Sequence, residues 1–430
     1  MKITFLIPGS GGTFYCSNCY RDVLYIRAIK KTQGFETSAI PLYLPPEHIS
    51  GMNEFDPNVF FGAISMYLRE KVPFLGQMPA FMDKLLDSPP MLKMAARRAG
   101  TTRTEGLEDI TINMISGDNR SREPEVLRLV NHLIKNGKPE IIHISNALII
   151  GLARQLKKHL DVKIVCSLQN EDDWINEMAE PFQGLAWKMI GEETDNIDAF
   201  ISPSRYYRDF FVSKTGYSGN NIHIIPSGID VTQSVVTSGT HSSPAIGYYC
   251  RVSYQNGFDK LVDAFIDLKS NRGLKDLTLH ICGGYTSDDK PFLKEQINKI
   301  KDHGFKSSVK IYPEFYGNGK QEFFNSIDIL SVPVRKHDGY GLYVLEANAA
   351  AIPVVQPATG GFPEIIEMTG GGILYQPDNV AELSVNALNL LKDGDKRREL
   401  GENGRSRVMS ELTLEKMSVG LAAVYRKIIQ

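Results

Sequence analysis

The sequence predicts an α/β protein built from two doubly wound domains. Short apolar, β-branched runs recur along the 430 residues, polar stretches of helical period lie between them, and one stretch rich in Ser, Thr, Gly and Val at 231–243 divides the series into two of similar size. Near-continuous apolar runs are what parallel strands buried on both faces require, and their alternation with helices builds doubly wound sheets.

The first run, 3–7, is a strand: it is too short for a signal-peptide core and meets Pro8-Gly9-Ser10-Gly11-Gly12 rather than a small-residue cleavage site. A helix is expected within 18–30, then strands at 36–40, 110–115, 140–145, 163–168, 199–202 and 222–225, with helices at 125–134 and 147–160. After the linker, strands are expected near 245–250, 277–282, 309–312, 329–332, 353–355 and 372–375. Helices fit 256–268, 291–301, 341–350, 380–391 and 412–428. This gives a first domain at 1–235, completed by a C-terminal helix at about 412–430, and a second at 236–411.

Charge narrows the partners. Lys plus Arg number 48 against 50 Asp plus Glu, a net charge of −2, so no global field draws the chain to nucleic acid or anionic lipid. No run reaches the length of a transmembrane helix, and the expected location is cytoplasmic. Segment 67–104 interrupts the first series with Met78, Met82, Met91 and Met94 among Arg69, Lys71, Lys84, Lys93, Arg97 and Arg98. Such a basic amphipathic stretch either packs on its own domain or makes peripheral contact with the inner face of a membrane. Five cysteines are no disulfide framework, and Cys166, Cys250 and Cys282 lie in apolar runs as core residues.

The strongest constellation lies at 333–367, PVRKHDGYGLYVLEANAAAIPVVQPATGGFPEIIE. Asp338 and Glu346 stand eight apart with a helix start expected near 340–342 between them. The free amides and positive dipole end of a helix start attract phosphate. One acid before the phosphate site and one within the helix suit a ligand with hydroxyls on both sides of a diphosphate, a nucleotide sugar. A solvated loop acid and a surface glutamate would explain either residue alone but not the whole string.

This run resembles the acid-x7-acid motif of the retaining glycosyltransferases of family 4, the group 1 transferases, which share the GT-B fold of two Rossmann-like domains facing across a cleft. Pro333, Glu346-Ala347, Pro353-Val354-Val355, Gly360-Gly361 and Pro363-Glu364-Ile365-Ile366 carry the resemblance. It implies that Asp338 binds donor-sugar hydroxyls, Glu346 the ribose, and the Gly341 and Leu342 amides the diphosphate. Gly247 to Gly257 resembles the family's Gly-Arg-x4-Lys-Gly motif, whose cations neutralise the leaving diphosphate. Arg251 matches, whereas Asn256 stands for the lysine and Cys250 for the glycine. Losing a cation there costs transition-state stabilisation unless Lys260, Arg335 or Lys336 replaces it.

The loop holding Gly11 and Gly12 fails as a dinucleotide fingerprint, because the third glycine would fall at Phe14. The resemblance implies a loop facing the donor, against the alternative of a tight turn. Cys16-Ser17-Asn18-Cys19 lacks the second ligand pair of a zinc site. A redox dithiol at a helix start and small residues shaping the acceptor side both remain open. At the strand ends, where doubly wound folds bind ligands, stand His143 and Gln169, the latter where many family members carry a histidine. Glutamine can bond a sugar but takes no proton. Glu171 and Asp172 either select a polar acceptor or supply charge to a helix start, and His143 is an acceptor-side candidate or a satisfied core histidine.

The expected function is retaining transfer of a sugar from a nucleoside-diphosphate sugar to a hydroxyl acceptor of a glycan, lipid or small molecule. Arg251, Asp338 and Gln169 would be catalytic and Glu346, Asn256, Gly341, Leu342, Gly11 and Gly12 would bind the donor, with no cofactor and no metal. The departures at Asn256, Asp338 and Gln169 motivate the alternative, a non-catalytic sugar-nucleotide or glycan-binding protein of the same fold. A phosphorylase-like enzyme would require pyridoxal phosphate on a lysine.

Overall fold

The structure, a computed structural model of the chain, describes residues 1–9, 12–43, 60, 104, 106–117, 123–168, 170–233 and 243–430. Gly11, Gln169, the basic stretch 67–103 and most of the linker lie outside the described residues. The described chain forms two compact units, one of Met1–Gly12, Asn18–Pro226 and Met417–Gln430, the other of Thr13–Ser17 and Ser227–Lys416. Thr13–Ser17 groups with the second unit, although chain order puts it in the first, because Phe14 bridges Gly284 and the Tyr15 N–H donates to Gly283 O at 2.7 Å.

The first unit holds strands β1 (Lys2–Ile7), β2 (Glu36–Pro41), β3 (Ile141–Ile144), β4 (Lys163–Ser167), β5 (Ala199–Ser202) and β6 (Ile222–Ile224). They form one parallel sheet in the order β2-β1-β3-β4-β5-β6. Their apolar runs are buried as helices cover both faces: β3 and β5 are buried at every position. The expected strand at 110–115 is instead the helix Glu108–Ile115. Its buried residues, Thr111, Met114 and Ile115, follow the i, i+3, i+4 spacing of a helix face, and Glu108 and Asp109 favour a helix start, so helical period overrides β-branched content. The pattern at 147–160 is a 3-10 turn, Ala147–Ile149, capped by Asn146, followed by the helix Gly151–His159.

The second unit holds β7 (Ala245–Tyr249), β8 (Thr278–Cys282), β9 (Val309–Tyr312), β10 (Ile329–Leu330), β11 (Val354–Pro357) and β12 (Gly372–Tyr375). These too are parallel, in the order β12-β11-β10-β7-β8-β9. In each sheet the chain winds out one way, returns and winds the other. Strand order therefore reverses between β1 and β3 in the first unit and between β7 and β10 in the second, and such switch points are where open α/β sheets bind ligands.

Candidate active site

At the second unit's switch point, β7 ends in the loop carrying Arg251 and Asn256, and β10 ends in the loop carrying Lys336 and Asp338. The two loops pack together: the Arg335 N–H donates to Gln255 O at 2.9 Å. Asp338 is buried, and its Oδ1 accepts from the backbone N–H of Tyr340 at 3.1 Å and of Gly341 at 2.9 Å. The Tyr343 hydroxyl donates to Oδ2 at 3.3 Å. A carboxylate that folds its own loop in this way is a built part of the site rather than a solvated acid.

Gly341, at φ +70°, ends that loop in a left-handed conformation as the N-cap of the helix Leu342–Ala349. Of the two amides expected to hold a diphosphate, that of Gly341 is thus turned onto Asp338. Leu342 begins the helix, where an N–H has no intrahelical partner. The helix is buried along its whole length, so Glu346 is buried as well. Its Oε2 accepts from the Tyr15 hydroxyl at 2.6 Å and its Oε1 pairs with Lys320 Nζ at 3.0 Å.

Arg251 donates through Nε and Nη2 to the two oxygens of Asp289, at 2.7 and 2.9 Å, and its guanidinium lies 5.2 Å from the Phe14 ring centroid. Asp289 is itself fixed by the N–H and hydroxyl of Thr286. Asn256 is buried and its Nδ2 donates to Arg251 O at 2.9 Å, while its Oδ1 has no partner among the described residues. Of the three cations expected to replace the missing lysine, Lys260 pairs with Asp378 and Arg335 forms a two-point bond to Asp259. Lys336 lies close enough to Cys250 for its charge to act on that thiol. Burial pushes the neighbouring Cys250 thiol up to about 12, with Lys336 pulling it down and Asp338 reinforcing the rise.

In the first unit, His143 is buried, with Nδ1 2.6 Å from the Tyr425 hydroxyl and Nε2 2.7 Å from Ser167 Oγ. Burial, and then Arg21, lowers its pKa to about 3, so the ring is neutral and ties β3 to β4 and to the helix Leu414–Ile429. Glu171 is fully buried, accepting from the Ala147 N–H at 2.8 Å and the Tyr207 hydroxyl at 2.6 Å; that hydroxyl also reaches Asp172 at 3.0 Å. These three acceptor-side candidates are therefore engaged in the scaffold. Gly12 lies at φ +67° beyond β1. Cys16 and Cys19 are disulfide-bonded, which leaves neither sulfur as a thiolate for a metal, and the other three cysteines are buried thiols.

Sequence reasoning missed Tyr15, Lys320 and Asp289. The first follows the glycine-rich loop and could have been suspected as an aromatic placed near it, whereas the other two have no local signal.

The family model described as Glycosyl transferases group 1 matches residues 237–407, and that described as Glycosyltransferase Family 4 matches 93–233. The chain belongs to the group 1 glycosyltransferases. It is 26% identical over 189 residues to the lipopolysaccharide core biosynthesis mannosyltransferase LpsB of Rhizobium meliloti, a match covering 43% of this chain and about half, 52%, of that relative. Among solved structures, sucrose-phosphate synthase from Thermosynechococcus elongatus aligns with TM-score 0.73 at 16% identity, covering 100% of this chain and 99% of that one. HepE from Anabaena in complex with UDP-glucose aligns with TM-score 0.69 at 14% identity, covering 99% of this chain and 100% of that one. The two parallel sheets are thus the two-domain α/β architecture of GT-B proteins.

Proposed function

We propose that this group 1 glycosyltransferase moves a sugar, with retention of anomeric configuration, from a nucleoside-diphosphate sugar to a hydroxyl acceptor. The observation that carries the reading is the convergence of Arg251, Asp338 and Glu346 at the switch point of one sheet, around the start of the helix Leu342–Ala349. Arg251 and the helix start meet the charge that develops on the departing diphosphate, where preorganised donors matter most. Glu346 receives ribose hydroxyls and Asp338 the donor-sugar hydroxyls. A donor phosphate oxygen helps take the acceptor proton, so the protein supplies position and charge rather than a base.

The donor docks on the second unit and the acceptor on the first. Catalysis requires neither metal nor cofactor, and turnover is expected to persist in chelator. The chain works in the cytoplasm, and the basic stretch 67–104 either packs on its own domain or makes peripheral contact with a membrane. Among the described residues no helix is long and apolar enough to cross a membrane.

Calorimetry with uridine, guanosine and adenosine diphosphates tests the donor site: Glu346→Ala should weaken binding about tenfold or more, the worth of a hydrogen bond to a charged group. Wild-type affinity in that variant would remove the ribose role. A second reading, binding without turnover, is favoured by Asn256, which fills the lysine position with an amide bonded to backbone. Donor hydrolysis or transfer above background eliminates it.

A further inference from the structure

Glu346 is held from two directions by residues outside the acid-x7-acid run. Tyr15 reaches it with a ring that is only 2% exposed, packed 4.6 Å from the Tyr249 centroid and 6.1 Å from that of Tyr316. Its place is set by backbone, through the Tyr15 N–H on Gly283 O and the bridge between Phe14 and Gly284. Burial, and then the Glu346 charge, push the phenol well above its usual pKa, so it stays neutral and donates. Lys320 comes from the helix Gly317–Phe324, and its side chain is 12% exposed against 4% for Glu346.

Burying a carboxylate and an ammonium costs desolvation that the pair's attraction repays only in good geometry. The arrangement fixes the carboxylate: Tyr15 holds one oxygen and Lys320 the other, at 2.6 and 3.0 Å. Each carboxylate oxygen offers about two acceptor sites, so one on each remains for a further donor. Two acceptor sites on one immobilised plane match a pair of adjacent hydroxyls.

We propose that Tyr15 and Lys320 are positioning residues that lock the Glu346 carboxylate in the orientation that accepts the 2′- and 3′-hydroxyls of a nucleoside diphosphate, so that together they set discrimination against 2′-deoxynucleotides. This rests on the donor-site reading above and adds to it the residues that determine ribose selectivity.

The test is calorimetry of the full chain with uridine, guanosine and adenosine diphosphates and their 2′-deoxy forms, on wild type, Tyr15→Phe and Lys320→Met. Tyr15→Phe keeps the buried ring and removes the bond donated to Glu346. Wild type is expected to prefer the ribose form of its nucleotide about tenfold or more, as for one hydrogen bond to a charged group. Each variant should cut that ratio at least about threefold, with the deoxy affinity changing less than about twofold. A purely structural role would weaken both forms equally. An unchanged ratio in either variant, or tighter ribose binding by Tyr15→Phe, overturns the positioning role and leaves the donor site standing. Equal binding of both forms by wild type removes the ribose from Glu346 and the proposal with it. Binding of none of the nucleotides by wild type sinks the donor-site reading itself.

Discussion

Arg251 and Asp289 face each other in a two-point bond, Nε to Oδ2 at 2.7 Å and Nη2 to Oδ1 at 2.9 Å, with side chains 18% and 10% exposed. This uses two of the five guanidinium donors and fixes the plane of the rest. If the arginine serves the departing diphosphate, Arg251→Ala should lower kcat about 100-fold with a smaller change in KM. Asp289→Ala, which frees the side chain to wander, should cost about tenfold. Steady-state kinetics of the double variant should fall no further than Arg251→Ala alone, since one acts through the other. Additive losses would separate the two.

His143 makes stability depend on pH. Its folded pKa is about 3 against the ordinary 6.5 of histidine, so below 6.5 the unfolded chain binds a proton that the folded chain refuses. The contribution is whole above pH 6.5 and is lost as pH falls toward 3. Between pH 7.5 and 5.0 urea unfolding of wild type should lose about 2 kcal/mol more than that of His143→Gln, at about 1.4 kcal/mol per unit. Equal losses would show that the ring charges in the folded state.

The same residues explain what could be read ahead of the structure. Parallel strands buried on both faces leave continuous apolar runs, so the twelve strands among the described residues stood out, with 110–115 misread because Thr111 and the isoleucines carry β-propensity on a helical face. Helices with atypical composition were hidden: Gly317–Phe324 opens on Gly-Asn-Gly, Phe362–Thr369 has proline in its first turn where it is tolerated, and Gly394–Glu411 contains three glycines. At the site, Asp338 and Glu346 were legible because their spacing is local. Tyr15 meets Glu346 across 331 positions and Asp289 meets Arg251 across 38, separations that only the folded sheet closes.

Lys336 is the cation we assign to stand in for the absent lysine, because its charge acts on the Cys250 thiol, the residue next to Arg251. Lys336→Met should lower kcat about tenfold, short of the loss expected for a principal donor. Asn256→Lys in that background should recover part of it. Full activity in Lys336→Met, measured as donor turnover, would assign the charge elsewhere.

Gly360 tests how tightly the Asp338 loop is held. It sits at φ +59°, and a Cβ there would lie 2.2 Å from Asp338 O, the same carbonyl that accepts from the Gly361 N–H at 2.8 Å. Gly360→Ala therefore meets a left-handed backbone, worth about 1–2 kcal/mol, and a backbone atom that must move. Because Asp338 shapes the turn into Gly341, that shift carries to the helix start expected to receive the diphosphate. Gly304→Ala is the control: its φ is +81° but nothing lies within 4 Å of an added Cβ. Both variants should melt below wild type, and only Gly360→Ala should lose nucleoside-diphosphate affinity, by about tenfold. Equal affinity in the two would mean that the loop relaxes without disturbing the site.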